Sequence, residues 1–477
     1  MKLYASVPKG KTLYQVLRER GIIRSAYCGG RGICGKCTVK VGGREELSCL
    51  LFGPFEGEVE VSQGELITEG TPLPPIEVDG SRTGYGVALD IGSTSVEAAL
   101  FSLDSGRFIE SYKAVNLQTS FGADIVTRVE QARENYGKLR ELLLESVELL
   151  LKAFKRKPSF VVAVSNPVIH HFFLGLPVKG FERFPLTLEV EDDVYVTGRE
   201  LSLSSFQNTL FYLPPPLKNF VGSDFLSNFL VLEGRSSQFL VADLGTNAEI
   251  GYYSKERKIA TSVPAGPAFE GVGLFSGMSA SPGAIYKVFF DGRGFKYLVI
   301  GNEKPKGMCA SAYFDLIYLL KSFRALNREG TFTETAPPLI AQQIKEINGE
   351  KAFILYNDGE TVIALTQSDV RKFLLAKGAV YGALKAITQG REDVGELYFS
   401  GAFGSHVEPR SVKGVKLIPQ ELPPPKAAGN LALRGASLML GSEVKRRRIK
   451  ELKGETQPLE LATSKEFEKA YIEGMEL

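Results

Sequence analysis

The sequence has no apolar run near the length of a membrane span, and its formal net charge of +2 leaves no surplus of either sign. The first absence argues against a spanning helix. The second argues against a role that relies on bulk charge to hold nucleic acid or a membrane surface. There is no Gly-x4-Gly-Lys-Ser/Thr run, so a P-loop ATPase is disfavoured. The opening Met1-Lys-Leu-Tyr-Ala-Ser-Val-Pro8 carries no signal pattern, and the chain reads as cytosolic. Cysteine is scarce, at 5 in 477 residues, yet Cys28, Cys34, Cys37 and Cys49 crowd together. In a cytosolic protein that grouping fits metal ligation better than disulfides. With 44% apolar and 23% charged residues the chain is able to bury large cores, and its length suggests about three domains at roughly 100–200 residues each.

Two stretches repeat one design. Val87-Ala-Leu-Asp-Ile-Gly-Ser-Thr-Ser95 drives an apolar strand into Asp90, turns tightly at Gly92-Ser93-Thr94, and leaves along a second apolar run from Val96 to Leu103. Phe239-Leu-Val-Ala-Asp-Leu-Gly-Thr-Asn247 does the same around Asp243, followed by Ala248 to Tyr253. Both read as β-hairpins. At their tips Gly92 and Gly245 permit close backbone approach, and Ser93, Thr94, Thr246 and Asn247 offer neutral donors to phosphate oxygens. Asp90 and Asp243 would repel phosphate; they suit a hydrated Mg²⁺, which one or two carboxylates hold together with substrate phosphates. Asp-x-Gly at a strand end is also an ordinary turn, but two copies together favour the phosphate reading and suggest two lobes.

The cysteines are spaced C-x5-C-x2-C-x11-C within a glycine-rich stretch, Tyr27-Cys28-Gly-Gly-Arg-Gly-Ile-Cys34-Gly-Lys-Cys37 and then Leu47-Ser-Cys49. Glycine allows a backbone to wrap a cluster and offer N–H groups to its sulfurs. A zinc ribbon usually presents two close pairs of cysteines, and here a long glycine loop leads into a single C-x2-C. The pattern favours a [2Fe–2S] cluster. Residues 1–70 resemble a plant- or adrenodoxin-type ferredoxin, with a first gap of five residues instead of four and an early fourth cysteine that shortens the hairpin between Val39 and Cys49.

Beyond Val61 the chain is polar and rich in Gly and Pro through Thr71-Pro-Leu-Pro-Pro75 to Thr83. It reads as a semi-extended linker that leaves the cluster domain tethered yet free to swing. From Gly84 strands and helices alternate. Ala123–Asn135 and Leu139–Phe154 are helical by period, Phe160–Ser165 is a buried strand, and Ser368 caps a helix to Ile387. His170 and His171 are adjacent and face different ways on a helix, so they read as packing or hydrogen-bonded residues. Cys309 reads as a small buried hydrophobe, and Lys445-Arg-Arg-Arg448 as the solvated end of a helix. The small-residue stretch Pro264 to Gly283 reads as a long loop in close contact with something. Strand Glu396–Ser400 ends in Gly401-Ala-Phe-Gly404, a turn of the kind that faces a ligand crevice in α/β domains.

In combination, Asp90-Ile-Gly-Ser-Thr, Asp243-Leu-Gly-Thr-Asn and Gly401-Ala-Phe-Gly404 resemble the two phosphate motifs and the adenosine-side motif of the acetate and sugar kinase, heat-shock chaperone and actin superfamily. Within it, the fused ferredoxin, Ala265-Gly-Pro-Ala-Phe-Glu-Gly271, Gly277-Met278, Pro282-Gly-Ala-Ile285 and Gly429-Asn430 are similar to the reductive activators of corrinoid proteins. Two departures are that no separate middle domain fits between the linker and Gly84, and that Cys309-Ala-Ser-Ala stands where the family tends to have Cys-Gly-Ser-Gly. The resemblance implies a mixed α+β and α/β architecture: a β-grasp ferredoxin domain (1–70), a linker (71–83), and a two-lobed actin-like, ribonuclease H-like ATPase domain (84–477) with its lobe boundary near 235. It implies an ATPase that passes an electron from the [2Fe–2S] cluster to Co(II) on a corrinoid partner, either a corrinoid iron–sulfur protein or the corrinoid subunit of a methyltransferase, restoring Co(I). Cys28, Cys34, Cys37 and Cys49 would hold the cluster. Asp90 and Asp243 would hold Mg²⁺ and the attacking water, with Glu249 as a polar helper. Gly92, Ser93, Thr94, Gly245, Thr246 and Asn247 would hold the ATP phosphates, and Gly401 to Gly404 would face adenosine. The Pro264–Gly283 loop is the candidate partner surface, with Ser276 able to approach cobalt, and a homodimer is implied. The rival readings are a redox-sensing small-molecule kinase, a non-catalytic ATP-responsive electron carrier, and an activator of another low-potential acceptor.

Overall fold

The computed structural model describes residues 2–20, 37–61, 67–122, 124–278, 280–388, 394–401 and 408–477. It divides into two compact units, one of residues 1–234 with 431–455 and one of 235–430 with 456–477. No helix among the described residues is long and apolar enough to cross a membrane.

The first unit begins with a four-stranded antiparallel sheet ordered Lys2–Val7, Phe55–Val61, Thr38–Val41, Arg44–Leu47. Alternate residues of these strands, with Leu13, Tyr14 and Leu17 from the helix Leu13–Glu19, make a small core of its own. That helix starts where Thr12 and Gln15 cap one another, Gln15 N–H to Thr12 Oγ1 at 3.2 Å and Thr12 N–H to Gln15 Oε1 at 2.8 Å, which satisfies two otherwise orphaned donors. The hairpin after Cys37 is as short as its spacing suggests. Val41 pairs with Arg44 across Gly42 and Gly43, both at positive φ, the backbone a two-residue turn of this hand requires.

A seven-stranded sheet follows, ordered Val194–Thr197, Leu210–Leu213, Phe160–Ser165, Tyr85–Ile91, Ser95–Ser102, Phe108–Val115, Ile67–Glu69. Tyr85–Ile91 lies inside it, parallel to Phe160–Ser165 and antiparallel to Ser95–Ser102. Burial on both faces explains its nearly unbroken apolar run. The two helices expected over 123–154 are present within the span Ile125–Ala153, separated by a kink where the backbone leaves helical φ/ψ at Asn135, the residue at which the first was expected to end. Late in the chain the helix Leu431–Gly441 returns to this unit. Gly435 lets it close on Ser227, where a Cβ would stand 2.4 Å from the serine Cβ.

The linker is not free. Ile67–Glu69 adds an edge strand against Tyr112–Ala114, and Thr71 is clasped on both sides, its N–H on Glu97 Oε1 at 2.7 Å and its C=O under Ser111 Oγ at 3.0 Å. Farther on, Ile76 N–H bonds Gly106 O at 2.9 Å and Asp79 N–H bonds Gly441 O at 3.0 Å. The Asp79 carboxylate accepts from the N–H groups of Ser81 and Glu443; burial pushes its carboxyl up, but hydrogen bonds from the Ser81 hydroxyl and these N–H groups outweigh it and bring the carboxyl down to about 2. The expectation of a free linker is not met, because its backbone groups find partners on the folded unit. The basic run also differs from a merely solvated helix end. Arg446 is buried, donating to Met439 O and Ser81 Oγ, and Arg448 pairs with Glu233, Glu451 and Glu455.

The second unit carries a six-stranded sheet ordered Pro425–Gly429, Glu396–Ser400, Phe239–Leu244, Asn247–Tyr253, Lys258–Pro264, Thr456–Pro458. Two three-stranded sheets and the helices Ala310–Ser322 and Gln367–Thr388 complete one large core. In the latter helix Lys377 is fully buried. Its ammonium donates to the carbonyls of Glu476 at 2.7 Å, Lys416 at 3.3 Å, and Gly474, which closes the helix Lys465–Gly474. A cation suits a helix C-terminus, but burial, with Lys416 and Lys321 nearby, pulls the amine down to about 7.

Because the folded value lies below the usual lysine range, the unfolded chain binds the extra proton at alkaline pH. This residue therefore makes stability rise as pH climbs from about 7 towards 10. Lys377→Met should remove that slope and leave three carbonyls short of a donor, costing about 1–3 kcal/mol; denaturant titrations across pH test both.

Candidate functional site

In the first unit Asp90 lies at the end of its strand, opposite Glu97 in the antiparallel partner and Val164 in the parallel one. The turn beyond it is closed by Gly92 N–H on Ser95 O at 3.0 Å. A Cβ on Gly92 would stand 2.8 Å from that carbonyl, so this position excludes a side chain. Two asparagines, neither evident as site residues from sequence, hold the tip. Asn116 donates to Gly92 O at 2.9 Å, and its own N–H bonds Thr94 O at 3.0 Å. Asn166 donates to Ser93 Oγ at 3.2 Å while capping the helix Pro167–Leu174 through Ile169 N–H. The Asn166-Pro167 pair at a strand end is the one signal that pointed to such a cap. Gly92, Ser93 and Thr94 remain half-buried.

In the second unit the pairing is tighter. Asp243 is opposite Glu249 on one side and Ser400 on the other. Ser400 Oγ donates to Asp243 Oδ2 at 3.1 Å. Gly401 follows at φ +85°, and a Cβ there would stand 2.8 Å from Asp243 Oδ1. The glycine turn read as facing a ligand thus packs directly against the carboxylate read as holding metal. Glu249 accepts from Ser262 Oγ at 3.3 Å. Gly245 N–H bonds Asn247 O at 3.1 Å, and Thr246 is buried. Both donors of Thr246 are taken by Glu270, its N–H at 2.8 Å and its hydroxyl at 2.9 Å from the same Oε1. Glu270 had been read only as part of the loop.

That loop is pinned inside the second unit. Phe275 N–H bonds Asp369 Oδ1 at 2.8 Å, Met308 N–H bonds Ser276 O at 2.7 Å, and Ser276 Oγ accepts from Ala364 N–H at 2.9 Å. Ser276, read as able to approach cobalt, ties the loop to a neighbouring strand, because its hydroxyl oxygen is an acceptor for an edge amide. Phe275 is left 45% exposed.

In the ferredoxin-like sheet Cys37 and Cys49 are buried thiols. Ser48, beside Cys49, sends both its N–H (3.0 Å) and its hydroxyl (2.7 Å) to Cys37 O, which ties the backbone on either side of the short hairpin together. Cys28, Cys34 and Gly404 lie outside the described residues. Cys309 is buried as read, its Sγ 3.2 Å from Ile285 O. His171 is held between Pro167 O and Glu189 N–H, while burial lowers His170 to about 3.

A family model described as the C-terminal domain of RACo, the ASKHA domain, matches residues 237–477. The chain belongs to the RACo family. A second RACo model, of the middle region, matches 85–235, so the middle region is the hairpin-bearing part of the first unit and lies after Gly84, not between the linker and Gly84. A 2Fe–2S iron–sulfur cluster binding domain model matches 2–66. Among curated relatives, the corrinoid activation enzyme RamQ of Eubacterium limosum is 30% identical over 411 residues, covering 81% of this chain and 69% of that protein. The [Co(II) methylated amine-specific corrinoid protein] reductase of Methanosarcina barkeri is 26% identical over 365 residues, covering 70% and 66%. A solved reductive activator for a corrinoid, iron–sulfur protein shares the fold at TM-score 0.75 and 21% identity, over 99% of this chain and 96% of that one. The architecture is therefore a ferredoxin-type domain joined to an actin-like ATPase-type domain.

Gly401→Ala should be more harmful than an ordinary turn substitution. A left-handed non-glycine residue costs roughly 1–2 kcal/mol, and the new Cβ meets the Asp243 carboxylate. The expected outcome is a modest fall in thermal stability with loss of nucleotide affinity, measured by melting and fluorescence titration on one preparation.

Proposed function

We propose that this member of the RACo family is an ATP-dependent reductive activator that delivers one electron to the Co(II) corrinoid of a methyl-transfer protein and restores Co(I). The observation that carries the reading is the fusion, in one chain, of a ferredoxin-type module to a unit whose Asp243, Ser400 and Gly401 form a tight polar contact. The names of the two curated relatives, one a corrinoid activation enzyme and the other a Co(II) corrinoid protein reductase, point the same way.

Cys28, Cys34, Cys37 and Cys49 would hold a [2Fe–2S] cluster, whose contribution is low-potential one-electron chemistry; plant-type clusters lie near roughly −400 mV. The protein keeps Cys37 and Cys49 out of water and fixes their backbone through Ser48. Asp90 and Asp243 would carry Mg²⁺ for the nucleotide, and Glu249, opposite Asp243, would orient water. Gly92, Ser93, Thr94, Gly245, Thr246 and Asn247 would meet phosphates, with Gly401 to Gly404 towards adenosine. The corrinoid cobalt is the electron acceptor; an upstream protein donor restores the electron. The active species is proposed to be a homodimer.

Mixing the reduced protein anaerobically with a Co(II) corrinoid protein in a stopped-flow instrument tests the proposal. Co(I) should accumulate only with MgATP, and Asp243→Ala should slow it by about 10²-fold or more. Continued ATP hydrolysis with no Co(I) from any corrinoid partner would instead assign the electron to another acceptor. Cys49→Ser should lose the visible absorbance of the purified protein while leaving nucleotide affinity unchanged.

A further inference from the structure

Thr246 has one N–H and one hydroxyl to give, and a single carboxylate oxygen of Glu270 takes both, at 2.8 and 2.9 Å. Two such bonds from one turn are what an anion receives at a phosphate-binding tip. We propose that Glu270 is an internal competitor for the second phosphate turn, so that a nucleotide phosphate and Glu270 occupy the Thr246 donors in alternation and the exchange moves the loop that follows. The inference rests on the nucleotide reading of that turn and adds to it a coupling residue.

Three observations connect the exchange to the loop. Ala265 and Gly266 both donate to Thr246 O, at 3.2 and 2.8 Å, so the segment is stitched to the turn at its start by the backbone and at Glu270 by the side chain. The short turn Pro267–Glu270 is bounded by Gly266 at φ +76° and Gly271 at φ +71°, where glycine tolerates rotation that other residues resist. Gly271 in turn packs so closely that a Cβ would stand 2.5 Å from Met278 O. A displacement at Glu270 is therefore passed to Met278 and to the exposed Phe275 between them. Like charges prevent Glu270 and phosphate from sharing the site. Nucleotide binding must break the Glu270 bonds, and whatever holds the loop outward must weaken them as well, since such coupling is reciprocal.

Glu270→Gln keeps the shape and removes the charge. In the full chain it should bind a non-hydrolysable ATP analogue with Mg²⁺ about tenfold more tightly than the unaltered protein, because a charge-assisted competitor has become a neutral one. Hydrogen exchange on the unaltered protein supplies a measurement that depends on no variant: amides of 267–278 should exchange faster once the analogue is bound, and in Glu270→Gln they should do so without it. A brace with no part in nucleotide exchange would leave exchange in 267–278 of the unaltered protein indifferent to the analogue, and its loss would give no gain in affinity. Equal or weaker binding by Glu270→Gln, or exchange in 267–278 that ignores the analogue, would overturn the proposal. Failure of both proteins to bind the analogue would overturn the nucleotide reading beneath it.

Discussion

The second unit depends on a carboxylate held against a backbone that has no side chain to offer. Phe239–Leu244 and Glu396–Ser400 are about 150 residues apart in sequence and pair in parallel with Asp243 opposite Ser400. The chain then turns through Gly401, leaving no room for a Cβ beside Asp243 Oδ1. Parallel pairing at such separation needs a large buried core to offset its closure entropy. The strands supply it with Leu240, Ala242, Leu397 and Phe399 on the core side. The polar contact is a by-product of that packing: once register is fixed, the serine and glycine at the end of one strand must face the aspartate at the end of the other.

The same hairpin is used twice with different side commitments. In each copy a glutamate lies directly across from the aspartate, Glu97 from Asp90 and Glu249 from Asp243, so in a pleated pair both side chains emerge on one face. Glu249 engages Ser262 on the next strand. Glu97 reaches instead to Thr71, the segment arriving from the ferredoxin-type domain. The residue that in one unit braces a hairpin thus anchors the incoming chain in the other. In the second copy a distant residue, Glu270, fills the turn donors, whereas in the first Asn116 and Asn166 steady the turn from outside. The first tip is braced by neutral groups. The second is braced by a charge.

What the sequence made legible was local. Strands ending in Asp-x-Gly, the buried run Phe160–Ser165, the strand Glu396–Ser400 and the glycine-rich cysteine stretch all announce themselves through period and turn chemistry within a dozen residues. The docking of the linker did not, because its partners are Gly106, Ser111 and Gly441, and a Pro-rich segment looks the same whether its carbonyls meet water or protein. Glu270 escaped for a related reason: Gly-Pro-Ala-Phe-Glu-Gly reads as a turn, and only the fold sets its carboxylate on Thr246. The helix Leu431–Gly441 gave no hint that it leaves one unit to complete the other, since its apolar face would suit either core.

The energetics of the proposed reaction set a scale that these contacts match. If the cobalt couple lies ~100 mV below the donor, the electron climbs about 2.3 kcal/mol. An effector can bias such a step only by the difference in its affinity for two states of the protein. Glu270 gives Thr246 two charge-assisted hydrogen bonds and a phosphate would give it others; each such bond is worth roughly 1.5–3 kcal/mol, so a difference of one bond between two states of the protein is on the scale of that climb. Nucleotide therefore need not drive the electron directly. In the proposed reaction it is sufficient that binding and hydrolysis alternate the occupant of one turn, and that the loop from Ala265 to Met278 would hold the Co(II) partner differently in the two cases.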